Sequence, residues 1–137
     1  MPVLIDSSFL LALYSADDRY HEQAVHFALS IPDQTIVPTI ILTEVAYLLK
    51  RDAGHPGMTR FLRHFSQTKI LLESVEMPDL YRAYEIASTY NSAEFDFVDC
   101  CIMALSERLK ITQVCTYDRR DFSIFRPQHC DYLELLP

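Results

Sequence analysis

Only 2 of the 137 residues are glycine, no segment is low in complexity, and the 7 prolines are scattered singly. These shortages exclude long flexible linkers and disordered tails, and an ordered chain is expected. No apolar run approaches the ~18 residues needed to span a membrane. The N-terminus has neither the basic start nor the small-residue cleavage site of a secretory signal. A soluble, cytosolic protein without a membrane partner is expected. Cysteines are few, at positions 100, 101, 115 and 130, and none forms C-x-x-C. No His pair stands at zinc-finger spacing, so buried, reduced thiols are the simplest reading. Positive charge is also short: the formal net charge is −7. That argues against holding nucleic acid by overall charge, but leaves room for carboxylates gathered around cations.

What is present is apolar material. Half of the residues are hydrophobic, enough for one core, and the length suits a single domain over residues 1–137. Short apolar runs at Pro2–Ile5, Thr35–Val37, Ile70–Val75, Gln113–Tyr117 and Asp131–Leu135 read as strands, the last at a sheet edge. Helical patterns cover Ser7–Ala16, Tyr20–Ser30, Thr39–Arg51, Met58–Gln67, Pro78–Tyr90 and Asp96–Lys110. Turns are expected at Pro32-Asp33 and Gly54–Gly57. Helices alternating with short apolar strands indicate an α/β domain with a mostly parallel sheet of four to five strands.

In such a sheet, ligands bind beyond the carboxyl ends of the strands. Asp6 ends the first strand and Asp118 follows the fourth. Crossover helices run back against the strands, so their N-termini return to the same edge. They bring Glu44, about one and a half turns into its helix, and Asp99, in the first turn of its own. Glu44 has Ile40, Ile41, Tyr47 and Leu48 as helical neighbours, with no Lys or Arg at i±3 or i±4. Burying it there is costly unless it is paired or holds a metal; the alternative is a side chain turned to solvent. Asp96 and Asp99 both suit a helix start. Capping explains Asp96 more readily, which leaves Asp99 for chemistry. Asp121 is either a loop acid or a fifth, peripheral member.

Carboxylates gathered at one point repel, and a divalent cation relieves the repulsion. Oxygen-only donors favour Mg²⁺ or Mn²⁺ over Zn²⁺. Such ions commonly meet substrate phosphates, so phosphodiester hydrolysis is the reaction class suggested. An aspartyl-nucleophile phosphotransferase is disfavoured, because the first strand is followed by D-S-S-F-L rather than D-x-D-x-T.

Four segments, V-L-I-D-S-S, L-T-E-V, D-F-V-D-C-C-I-M-A-L-S-E-R-L and T-Y-D-R-R-D-F, together resemble the PIN domain family, within it the VapC-type ribonuclease toxins. The resemblance covers essentially the whole chain. It implies a three-layer α/β/α fold and Mg²⁺- or Mn²⁺-dependent cleavage of RNA. It implies that Asp6, Glu44, Asp99 and Asp118 are the metal-binding, catalytic acids, with Asp121 at a position where an acid often lies near the metal. Ser8 and Thr116 match hydroxyls that orient the acids, although a helix-start hydroxyl and a plain strand residue explain them as well. A homodimer and an antitoxin partner are further implications. The Cys100-Cys101 pair departs from the small residues usual there. The alternative function is a non-catalytic PIN-like module that binds RNA or protein.

Arg60, Arg63 and His64 share a helix face, with Lys69 nearby. A solvated face is the simpler reading, contact with RNA the alternative. Arg119 and Arg120 stand beside Asp118, placed for phosphate or for salt bridges.

Overall fold

The computed structural model describes residues 1–31 and 34–137; the expected turn at positions 32–33 lies outside the described residues. Five strands form one sheet: β1 (Val3–Ile5), β2 (Thr35–Pro38), β3 (Leu71–Glu73), β4 (Gln113–Cys115) and β5 (Glu134–Leu136). Their order is β3-β2-β1-β4-β5, and every pairing is parallel. The sheet thus grows outward from β1 in both directions, and the change of direction falls between β1 and β4. Brought level by the register Ile5↔Cys115, the two chains leave the sheet side by side.

Crossover helices cover the faces. Before β2 lie α1 (Ser7–Tyr14) and α2 (His21–Ala28); between β2 and β3 runs α3 (Leu42–Phe65), entered through a single 3-10 turn at Thr39–Ile41. After β3 come α4 (Met77–Thr89) and α5 (Phe97–Leu109), and after β4 the short α6 (Arg120–Ile124). Contacts join α1 to α2 and α3, and α5 to α4 and α6. These two groups sandwich the sheet, giving the three-layer α/β/α architecture. The central strand β1 is buried throughout, whereas the edge strand β3 leaves Leu71 and Leu72 about half exposed. Among the described residues, no helix is long and apolar enough to cross a membrane.

Two helices and one strand differ from the sequence expectation. Thr39–Arg51 and Met58–Gln67 join into α3, and the turn at Gly54–Gly57 shrinks to Gly54 alone. That residue sits at φ 71°, ψ −179°, a backbone that a side chain resists and glycine adopts freely. Pro56 then sits within the first turn of the second segment, where its missing N–H costs nothing. Asp131–Leu135 moves to Glu134–Leu136, and α6 falls where only a loop was read. The thiols of Cys100, Cys101 and Cys115 are buried and free, as expected, whereas Cys130, also expected to be buried, is free but only half-buried; burial pushes the Cys100 and Cys101 thiols up to about 11.

The packing of α5 against α4 is fixed by ions. Glu107, 8% exposed, accepts Arg82 Nε at 2.6 Å and Nη2 at 3.1 Å, and the Gln128 N–H at 2.9 Å. Arg108 donates to Asp79 at 2.9 Å and to Glu73 at 2.9 Å, and Asp79 also accepts the Glu76 N–H at the start of α4. The frame that carries α5 is therefore rigid. Removing one partner of a buried pair strands the other charge. Arg82→Met is expected to lower stability by about 3–5 kcal/mol in urea unfolding, and the double variant Arg82→Met/Glu107→Met to recover most of that loss.

Candidate functional site

A pocket of about 370 Å³ opens beside the carboxyl ends of β1 and β4. Its lining includes Asp6, Glu44, Asp96, Asp99 and Asp118, together with Ser7, Ser8, Leu11, Phe97 and Val98. All four acids expected from the sequence meet here, and no Lys, Arg or His lines the pocket.

Asp6 follows β1 directly and occupies the N-cap position of α1, yet its carboxylate makes no capping bond. It is held instead by hydroxyls. Thr116 Oγ1 donates to Asp6 Oδ2 at 2.7 Å, and Ser8 Oγ reaches the same oxygen at 3.1 Å. Ser8 Oγ in turn accepts the Tyr117 N–H at 2.9 Å, and Thr116 Oγ1 accepts the Asp118 N–H at 3.0 Å. Backbone amides of the segment after β4 thus fix both hydroxyls, and the hydroxyls fix Asp6. Ser8 and Thr116 thus both contact Asp6, and the strand pairing explains the Thr116 contact: Asp6 and Thr116 are the first residues beyond Ile5 and Cys115. With 2% of Asp6 and none of Thr116 exposed, the unit is rigid.

Asp99 lies in the first turn of α5 and is 6% exposed. Burial, a hydrogen bond shared with Asp121, and the charges of Asp6, Asp121 and Asp118 hold its carboxyl well above the usual carboxylate range. Desolvation and the charges of Asp6, Asp121 and Asp96 also raise Asp118, opposed by Arg120. These are the expected signs for like charges in a partly dry pocket.

Two expectations need correction. Glu44 lines the pocket but is exposed, so the cost of burying it among apolar neighbours does not arise. The 3-10 turn delays the start of α3, placing Glu44 in its first turn, at the helix mouth rather than in its packed body; Tyr47, one of those neighbours, is itself exposed. Asp96 was assigned to capping. It does stand at the N-cap of α5, but makes no side-chain cap bond. Its carboxylate instead joins Asp99 and Asp121, all three offering oxygens within 4.8 Å of one another. Among the described residues this trio is the tightest candidate cation cage. The D-x-x-D spacing of Asp96 and Asp99 was the signal, since both fall in one helical turn.

Asp121 sits in α6 at 6% exposure, accepting Arg120 Nη1 at 2.7 Å and the Asp96 N–H at 3.3 Å. It does not line the pocket, but its carboxylate lies within 4.8 Å of those of Asp96 and Asp99. Arg120 also donates to Ala93 O, and Arg119 to the carbonyls of Leu135 and Pro137. Both arginines are engaged in the fold, and neither points a free guanidinium at a phosphate. Arg60 and His64 line a second, apolar groove between α1, α2 and α3 rather than this pocket.

The PIN domain family model matches residues 3–126. Ribonuclease VapC26 of Mycobacterium tuberculosis is 26% identical over 125 residues, which cover 91% of this chain and 93% of the relative. The crystal structure of M. tuberculosis VapC20, a sarcin-ricin loop cleaving toxin, superposes with a TM-score of 0.78 at 25% identity, over 85% of this chain and 90% of that one. A toxin–antitoxin complex from Klebsiella pneumoniae shares the fold, with a TM-score of 0.68 at 18% identity over 90% and 92% of the two chains.

The raised carboxyls couple stability to pH. Asp99 ionises near its ordinary value of about 3.9 when unfolded but holds its proton far higher when folded. Between those values the folded state binds more protons, so stability declines as pH rises. With chelator present, the melting temperature is expected to fall between about pH 5 and pH 8. Asp99→Asn should flatten that slope and melt higher at pH 8, by about 3–6 °C for each kcal/mol of repulsion relieved. A wild-type melting temperature that rises across this range contradicts the assignment.

Proposed function

Because the chain belongs to the PIN domain family, we propose that it is a cytoplasmic endoribonuclease that hydrolyses RNA phosphodiester bonds with Mg²⁺ or Mn²⁺, as the toxin of a toxin–antitoxin pair. The observation that carries this reading is the convergence of five carboxylates on one pocket that no cationic side chain lines. Such a set is self-repelling, and oxygen donors of this kind suit a hard divalent cation. Asp6, Glu44, Asp99 and Asp118 would hold it, and Asp96 is placed to join them. When bound, the cation would supply Lewis-acid stabilisation of the charge that builds on the phosphorus oxygens, and would lower the pKa of the attacking water.

The chain's own residues do the rest. Ser8 and Thr116 hold Oδ2 of Asp6 in a fixed direction, while Oδ1 carries only the long contact from Ser7 Oγ at 3.4 Å. Asp121 and the Arg120 paired with it stand beside Asp99, fixing the carboxyl and placing a compensating charge at a distance. Because burial and neighbouring acids raise Asp99, a cation held there would compete with its proton, so occupancy should rise with pH. Leu11, Phe97 and Val98 give the pocket a partly apolar wall, which limits water around the reacting phosphate.

VapC26 and VapC20 support RNA as the substrate, and the Klebsiella complex supports an antitoxin partner. For a homodimer, α4 offers an uncharged outer stripe of Met77, Leu80, Tyr81 and Tyr84, all exposed. A face without charge can meet its own copy across a two-fold axis. The non-catalytic alternative is less favoured, because three acids of the pocket, Glu44, Asp96 and Asp118, remain open to solvent rather than paired into structure.

Incubation with ribosomal RNA and Mn²⁺ tests the proposal. Wild type should cut at defined positions, and Asp6→Asn or Asp99→Asn should reduce the rate to background. Thr116→Val keeps the shape but removes the donor to Asp6, and should cost about 10–100-fold, the usual effect of losing a group that orients a metal ligand. Equal cleavage by wild type and Asp6→Asn would refute the proposal.

A further inference from the structure

Phe97 is the anomaly at the rim of the acid pocket. It is the first residue of α5, two positions before Asp99, and lines the pocket. Its side chain is 59% exposed in a chain that otherwise buries most of its phenylalanines: Phe9, Phe61, Phe122 and Phe125 are all at 2% or less. Aromatic rings elsewhere stack on one another, as Tyr20 does on Tyr117 and Tyr90 on Phe95. Among the described residues the Phe97 ring takes part in no such pair. Leaving a large apolar ring in water next to five carboxylates gains nothing for the fold.

The pocket has a matching shortage. The pocket lining itself offers carboxylates and no cation, and the exposed Arg119 and Arg120 at its margin already bond to backbone and to Asp121. A cation at the acids would anchor one phosphate only. Further affinity must come from contacts that do not depend on charge, and stacking of bases on aromatic faces is the main one open to single-stranded nucleic acid.

We propose that Phe97 is a substrate-positioning residue whose ring stacks on an unpaired nucleobase of the RNA, next to the phosphate held at the acid pocket. This rests on the ribonuclease reading and narrows it. The cut strand is a single-stranded or loop segment with a base free to turn out. The stack fixes which phosphate faces Asp6 and Asp99. No atom of Phe97 takes part in bond breaking.

The test is binding of fluorescently labelled oligoadenylate and oligouridylate in Mn²⁺, with an oligomer of abasic riboses as control. Phe97 is exposed, so its variants should melt with wild type. Phe97→Ala and Phe97→Leu should both weaken binding of the base-bearing oligomers by about 5–150-fold, the range for loss of one base–aromatic stack. Phe97→Trp should match or exceed wild type, and the abasic oligomer should bind all four proteins alike. Equal affinity of Phe97→Ala and wild type overturns the proposal. So does rescue by Leu, which would mark a merely apolar contact. No binding by wild type, or dissociation of a dimer by Phe97→Ala at unchanged RNA affinity, overturns it too. Ribosomal RNA cleavage by the same preparations separates the two readings: cleavage with Phe97-independent binding removes the stack alone. Phe97-dependent binding without cleavage removes the nuclease alone.

Discussion

Like-charge repulsion is the constraint around which this molecule is arranged. Asp6, Glu44, Asp96, Asp99 and Asp118 share one pocket, and carboxylates at such separations do not all ionise without compensation. The fold holds them there anyway. It does so by attaching them to parts that cannot yield: the buried strand β1, the segment after β4, and the first turn of α5. The ion pairs Arg82–Glu107 and Arg108–Asp79 lock α5 to α4, so α5 cannot swing away to relieve its acids. With movement blocked, burial first and the neighbouring acids second raise the affinity of Asp99 for a proton.

The sheet topology makes the gathering possible. Because β1 and β4 are adjacent and parallel, their last residues leave the sheet at the same level, and the switch in strand order opens a crevice there. Asp6 then lies within reach of the Thr116 hydroxyl, 110 positions away in sequence, at 2.7 Å. Helix N-termini return to the same edge, bringing Glu44 on α3 and Asp96 and Asp99 on α5. Their N–H dipoles partly offset the negative charge they deliver.

The legible parts of this site are those where residue type and topology act together. Asp6 and Asp118 could be placed from the sequence because each ends an apolar run, and parallel strands put such ends together. Asp99 followed from the direction of a crossover helix. Glu44 reaches the pocket for the same topological reason, but its expected burial among apolar neighbours does not occur. Helical spacing gave its neighbours, but not the 3-10 turn that sets where α3 begins, nor the exposure that follows. Asp96 does occupy the N-cap position that the sequence indicates, but that position and a capping hydrogen bond are separate facts, and only the folded geometry separates them. The α6 turn was unreadable for a related reason: R-D-F-S-I is too short for periodicity, and its helix is imposed by the burial of Asp121 and Phe122. Phe97 falls inside the Asp96–Lys110 helical pattern as one more apolar residue, and its exposure is a property of the fold.

Binding of Mn²⁺ measured by titration calorimetry in two buffers of different ionisation enthalpy bears most directly on the central claim that these acids form a cation site. Saturable binding that releases protons near neutral pH, tightens as pH rises, and disappears in Asp6→Asn is the expected result. Absence of binding by the wild-type protein, or binding that Asp6→Asn and Asp99→Asn leave unchanged, would contradict it.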